Sequence, residues 1–270
     1  MDSVESLIKK EGRNQCLSGI ALMLAGAGML MFFLIGEGGM GLILIYGIPA
    51  LGVGLYFFQA GWKDLTKIGG SAELKRTGER AAFPEVPRTM YLGTGEGRDG
   101  RFYDMEGNAM GDITEKKTTM SRTAGLLSLS SASASLPLPR VYQVREDGEV
   151  LYEVERKGFS LRPKAYVKGS EDTYVGLMKA KKDKESKQMV FSYQKKDETL
   201  YYTSGDPYIG KYYIKDSRDR TLLTLKNGAI PVGAPDKLQR MHGSVIEWET
   251  TENIPYTLLL FIFFLSHTEQ

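Results

Sequence analysis

Residues 254–265, IPYTLLLFIFFL, are the most apolar stretch of the chain outside its N-terminus, and they lie almost at its end. A bilayer-spanning helix needs about 20 apolar residues, whereas runs of roughly 10–14 mark a buried helix. This run is twelve residues long. A helix here has no polar face, so protein must surround it on every side. The core helix is placed at 254–266, with Asn253 as its cap and Pro255 in its first turn, where proline is tolerated.

What precedes this run reads as strand, turn, strand. RVYQVREDGEVLYEVERKG, AYVKGSEDTYVGLMKA and KYYIKDSRDRTLLTLKNG alternate aromatic and β-branched residues with charges. Pairs such as Glu106-Gly107, Asp147-Gly148 and Asn227-Gly228 mark the turns. Tyr103, Tyr142, Tyr166, Tyr193 and Tyr213 each open an outgoing strand, a loose echo too irregular for a propeller. Strands at a spacing of roughly 8–12 residues predict a sandwich or barrel over 89–270. The Ser/Ala-rich segment 121–139 interrupts the pattern as an excursion whose Leu126, Leu127 and Leu129 are free to dock.

Two longer apolar runs open the chain, CLSGIALMLAGAGMLMFFLI at 16–35 and MGLILIYGIPALGVGLYFF at 40–58. Neither carries a charge, and the glycine-rich turn 36–39 separates them, so 16–62 is expected to form a transmembrane helical hairpin. Lys9, Lys10 and Arg13 precede it, Lys63, Lys67 and Lys75 follow it, and the turn has no Lys or Arg. The positive-inside rule then places both termini in the cytoplasm and Glu37 outside, with the chain an integral protein of the cell membrane. Tyr56 and Trp62 fall at the inner interface. Ser18, Ala21, Ala25 and Gly28, with Gly47, Ala50 and Gly54, are the small residues expected to pack the hairpin, and Pro49 is a kink site. Residues 1–15 form an N-terminal tail, and 63–88 a basic linker broken by Pro84 and Pro87, with some helix around 71–82.

The meander with its DGE-type turn, the segment GFSLRPKAYVKGSEDTYVGLM, the stretch SGDPYIGKYYIKDSRDRTLLTLKNG and the closing apolar helix together resemble the Tubby C-terminal-like superfamily. That group includes the LURP-one-related proteins and the phospholipid scramblases, and the similarity covers 101–265. It implies a mainly β fold, a closed antiparallel barrel of about twelve strands around the buried C-terminal helix, which also removes exposed strand edges. It implies further a membrane-directed role, since tubby domains bind phosphoinositides through basic side chains. The calcium segment of scramblases has no counterpart: VIEWETTEN, with Glu247, Glu249 and Glu252, lacks the alternating Asp/Asn pattern.

The best binding candidates are basic. Arg156, Lys157, Arg162 and Lys164, with Lys168, surround one turn, and Lys179, Lys181, Lys182, Lys184 and Lys187 the next. Beside an anionic leaflet each is worth up to about 1 kcal/mol, although strand faces and hairpin tips carry lysines in any soluble domain. Other motifs fail on context. Residues 95–100, GEGRDG, match a dinucleotide fingerprint, but no helix is expected after them. His242 and His267 lack metal-ligand spacing, Ser160 has no nucleophile elbow, and Asp206 reads as a turn residue before Pro207. Tyr201, Tyr202, Tyr212 and Tyr213 suit barrel packing. The net charge of +2 is too small for nucleic acid, and the single Cys16 excludes an internal disulfide framework.

The expectation is therefore a noncatalytic, membrane-anchored cytosolic module with no cofactor. It contacts the bilayer through 16–62 and binds anionic phospholipid headgroups or a membrane protein at the inner leaflet. A protein-binding scaffold and scramblase-like lipid translocation are the alternatives.

Overall fold

The computed structural model describes residues 4–35, 43–66, 81–94, 99–116, 139–146, 148–158, 162–169, 173–184, 186–195, 198–206, 209–231 and 233–268. They fall into two compact units, Met1–Glu73 and Leu74–Gln270.

The first unit is a helical hairpin. Helix α1 spans Val4–Ile35, a π-turn covers Ile43–Gly47, and α2 runs over Ile48–Thr66. Most of the tail expected at 1–15 is thus the first turns of α1, and Glu37 lies outside the described residues. Pro49 has no N–H for the carbonyl one turn back and crowds it. The wider π-turn directly before α2 fits that lack, since such bulges relieve a broken ladder. On α2 and its π-turn the expected Gly47 and Gly54 are buried against α1, but α1 meets them on a different face from the one expected. Ser18, Ala21, Ala25 and Gly28 are exposed, and a Cβ on Gly28 would meet nothing. The seam instead repeats every seventh residue: Gly12, Gly19 and Gly26 on α1 lie against Gly61, Phe58, Gly54 and Leu51. A Cβ on Gly19 would stand 2.5 Å from the Phe58 nitrogen, and one on Gly61 2.5 Å from the Gly12 carbonyl. Three- and four-residue spacing of small residues occurs on several faces, and only close backbone approach distinguishes them.

The second unit is mainly β. Strands β1 (Ala81–Glu85), β2 (Thr89–Thr94), β3 (Gly100–Asp104), β4 (Ala109–Glu115), β5 (Arg140–Glu146), β6 (Glu149–Arg156) and β7 (Lys164–Gly169) come first. Then follow β8 (Tyr174–Lys182), β9 (Met189–Lys195), β10 (Glu198–Asp206), β11 (Lys211–Asp216), β12 (Thr221–Asn227), helix α3 (Asp236–Gln239), β13 (Gly243–Trp248), β14 (Glu252–Pro255) and α4 (Tyr256–Thr268). Strands β2 to β13 form a closed twelve-stranded barrel in which each pairs antiparallel with the next, and β13 closes on β2. Left-handed glycines hold the expected turns, Gly107 at φ 91°, Gly148 at 83° and Gly228 at 68°.

An eight-stranded barrel is filled by its own side chains, and the interior widens with strand number. Twelve strands leave room for a helix, and α4 occupies it. Every residue of α4 from Tyr256 to His267 is buried. Its faces meet inward residues from around the wall, among them Leu92, Phe102, Tyr142, Val154, Phe191, Leu223 and Trp248. Gly100 lets the helix approach the wall, because a Cβ there would sit 2.6 Å from the Phe263 ring. At roughly 1.5–3 kcal/mol per buried large apolar side chain, the run Leu258–Leu265 is a main source of stability.

The boundaries at each end of this unit differ from expectation. Asn253, at φ 52°, and Pro255 belong to β14 and do not start the helix. β14 pairs with β1, a strand inside the segment expected to be linker. Of residues 71–82, where some helix was expected, 71–80 lie outside the described residues, and Ala81 and Ala82 are strand.

Two predictions follow from these packings. Phe261→Ala should cost about 3–5 kcal/mol in urea unfolding, because the void lies inside a closed wall. In detergent, Gly19→Leu should lower the melting temperature of the hairpin's helical signal, while Gly28→Leu, facing open space, should leave it unchanged.

Candidate functional site

Helix α4 defines the two ends of the barrel. It begins beside the end of β5, where the Tyr256 hydroxyl donates to Glu146 at 3.1 Å. It finishes beside the start of β13, where the Ser244 and Ser266 hydroxyls lie 3.3 Å apart. At this far end come the connections β2–β3, β4–β5, β6–β7, β8–β9, β10–β11 and β12–β13, in that circular order.

The four sequence-derived candidates all fall at the far end, but in different environments. Arg156 follows Val154 in the inward phase of β6 and points into the barrel. Its Nη1 donates to the His267 carbonyl at 2.9 Å, which satisfies one of the last free carbonyls of α4. Burial pushes its guanidinium below its ordinary pKa, with the Tyr142 phenol opposing the shift. Arg156 is therefore part of the frame. The Lys157 N–H donates to the Lys164 carbonyl at 3.0 Å, and its ammonium stands 4.8 Å over the Tyr166 ring. Arg162 is exposed, Lys164 half-buried, and Lys164 lies across from Lys179 on β8. Lys168, from the same sequence cluster, is 5% exposed and paired with Glu155 at 3.3 Å, so it is held within the wall.

The second basic cluster joins the first. The Ala180 N–H donates to the Pro163 carbonyl at 2.9 Å, tying β8 to the β6–β7 connection. Lys181, Lys182, Lys184 and Lys187 continue outward from there, all exposed. The successive strand pairings add cations that are farther along the chain: Lys211 at the β10–β11 turn, and Lys237 and Arg240 in the β12–β13 connection. Asp183 is spent on its own turn, accepting from the Ser186 N–H at 2.9 Å and hydroxyl at 2.8 Å. The opposite end is richer in acids, and several are likewise satisfied locally. Asp104 accepts from the Glu106 and Asn108 N–H groups, and Asp216 from those of Arg218 and Arg220. These bonds hold both carboxyls below the usual range against a desolvation effect in the other direction.

The remaining motifs are resolved by position. Gly100 opens strand β3, so a strand and no helix follows GEGRDG. Ser160 lies outside the described residues, and Asp206 ends β10 opposite Lys211. Tyr201 and Tyr212 are core residues, whereas Tyr202 bonds Asp219 and Tyr213 lies under Lys211 at 5.0 Å. Glu247 is paired with Lys226 at 2.5 Å. Among the described residues no group of three or more His, Cys, Asp or Glu could hold a metal ion. A cavity of about 220 Å³ opens where β4 and β5 pair over only three residues, closed by Phe83 of β1. Asp112, Arg145 and Glu146 rim it and Leu259 forms part of its lining, so it suits a small uncharged molecule better than an anion.

No family model and no curated protein sequence matches the chain. Among solved structures it is similar to the X-ray structure of a protein from Arabidopsis thaliana, at 10% identity and a TM-score of 0.28, over 72% of this chain and 100% of that one. What the structure itself shows is a closed twelve-stranded antiparallel barrel around an apolar C-terminal helix.

His267 supplies the pH test of the far end. Its ring lies 4.0 Å from Phe263, and burial holds its imidazole down to about 4, reinforced by Arg156 and Arg140 and opposed by the Phe263 carbonyl and Asp99. Unfolded, the same group titrates near 6.5. The folded state thus binds fewer protons between these values, and stability falls as pH drops from 6.5 towards 4. The loss should reach about 3 kcal/mol in urea titrations, and His267→Phe should remove that part of the slope.

Proposed function

We propose that this chain is a noncatalytic, membrane-anchored tubby-like module whose barrel engages anionic lipid headgroups from the cytoplasmic side. The observation that carries the headgroup reading is the gathering of cations from four separate connections at one end of the barrel. An anionic surface attracts such a cluster additively, at about 1 kcal/mol per basic residue close to it. Within the cluster, Lys157, Arg162 and Lys164 keep the role expected of them, joined by Lys181, Lys182, Lys184 and Lys187. Arg156 serves by fixing the helix beneath them.

The hairpin supports the anchor by its inverted polarity. It buries glycines and exposes Leu24 (69%), Met31 (63%) and Phe32 (72%), the reverse of what water selects. Residues Ile8–Phe32 are long and apolar enough to cross a bilayer. Exposed Lys9, Lys10, Arg13 and Lys63 at its base favour a cytoplasmic orientation. Once anchored, the barrel meets the leaflet intramolecularly, so weak contacts suffice.

The test uses the full chain reconstituted into vesicles, with a donor fluorophore on the barrel and acceptor lipids in the membrane. Energy transfer should rise when neutral lipid is partly replaced by anionic lipid, fall with added salt, and drop in Lys181→Glu/Lys182→Glu. Equal transfer in neutral and anionic vesicles would sink the headgroup reading. Release of the chain from membranes by alkaline extraction would sink the anchor.

A further inference from the structure

Ile209 and Ile230 are 69% and 65% exposed, and among the described residues of the barrel they are the large apolar side chains left open to water. They belong to different connections, β10–β11 and β12–β13, yet the pairing of β11 with β12 makes those connections neighbours. The Asn227 N–H donates to the Gly210 carbonyl at 2.7 Å, and the Gly228 N–H to that of Gly243 at 2.9 Å. Gly210 at φ 65° and Gly228 at φ 68° hold both turns in left-handed conformations that a side chain resists, so the backbone beneath each isoleucine is fixed. Both side chains stand outward at the far end.

Their surroundings are cationic. Lys211 is two residues from Ile209, Lys237 and Arg240 share the connection of Ile230, and the adjacent β8–β9 turn presents Lys181, Lys182, Lys184 and Lys187. Among the described residues the acids of this quarter are Asp183, Asp206, Asp236 and Glu247, and the β8–β9 turn also carries Glu185 in its sequence. Asp183 is bonded within its own turn and Glu247 to Lys226. Two apolar tips ringed by lysines match a bilayer interface, where aliphatic groups enter the acyl boundary and long cations reach back to phosphates. A protein interface would favour aromatic and Arg anchors and is depleted in Lys. Here the two exposed anchors are aliphatic and the ring is mostly Lys, with Arg240 its one Arg among the described residues.

We infer that Ile209 and Ile230 are a two-pronged wedge that inserts into an anionic bilayer while the surrounding lysines hold its headgroups. This rests on the headgroup reading and adds to it the part of the barrel that penetrates and the orientation it imposes. The far end faces the membrane, and the acid-rich end faces away.

The test places an environment-sensitive fluorophore at Ile209→Cys or Ile230→Cys in a full chain carrying Cys16→Ala, reconstituted into vesicles with or without anionic lipid. A control label replaces Arg218 at the opposite end. The wedge requires a blue shift and quenching by spin-labelled acyl chains at 209 and 230 in anionic vesicles, with neither at 218. The double variant Ile209→Ser/Ile230→Ser should also weaken the anionic response of the energy-transfer assay about tenfold. Both residues are exposed, so folding should be unaffected. Water-like emission at both tips, while energy transfer still reports approach to anionic lipid, overturns the wedge and leaves the headgroup reading standing. Water-like emission with no approach overturns both. Burial of the tips only on adding a soluble protein fraction assigns the surface to a protein and overturns the wedge.

Discussion

The second unit depends on one reciprocal constraint: an apolar helix with no polar face needs a complete enclosure, and a twelve-stranded wall needs something inside it. Neither part is stable without the other. A barrel of this girth left empty would lose contacts along its whole inner surface, and the helix without the wall would expose Leu258 to Leu265 to water. Closure brings β13 to β2, strands from the two ends of the unit. Such long-range pairing is entropically costly and slow to form. The helix follows β13 at once, so interior and last strand become available together.

That constraint also decides which charges can act on the outside. A helix ending inside a barrel leaves carbonyls without partners, and the wall must supply a donor. Arg156 does so through the His267 carbonyl, which commits part of its guanidinium to the helix end. The inner wall is packed against the helix. The first unit solves the opposite problem. Its helices bury glycines in a tight seam and turn Leu17, Leu24 and Phe32 outward, a polarity that supports the proposed anchor.

Much of this was legible in the sequence because it follows from local period and turn chemistry. The alternation in RVYQV and LYEVE, the glycines after Glu106, Asp147 and Asn227, and the unbroken run LLLFIFFL each carry their meaning within a few residues. What escaped was non-local. Strand β1 holds Pro84 and pairs only with β14, far away in the chain, so AAFPE reads as linker. In the hairpin Gly47 and Gly54 were legible, but the seam face of the first helix was not, because several of its faces carry small residues and the seven-residue step of Gly12, Gly19 and Gly26 is visible only once backbones touch. Arg156 looked like its neighbours Lys157 and Arg162, since an inward phase is readable but a helix carbonyl waiting there is not. The junction of the two lysine clusters with the β10–β11 and β12–β13 turns depends on consecutive pairing of β7 to β13, which places alternate connections at one end and which no single local pattern encodes.

The enclosure of α4 is open to direct measurement by hydrogen exchange on the full chain. The amides of Leu258 to Leu265 should be among the slowest in the molecule, exchanging only with global unfolding of the barrel, and equally so in detergent and in vesicles. Faster exchange in this helix than in the surrounding strands, or protection that appears only when lipid is added, would contradict its place inside the wall.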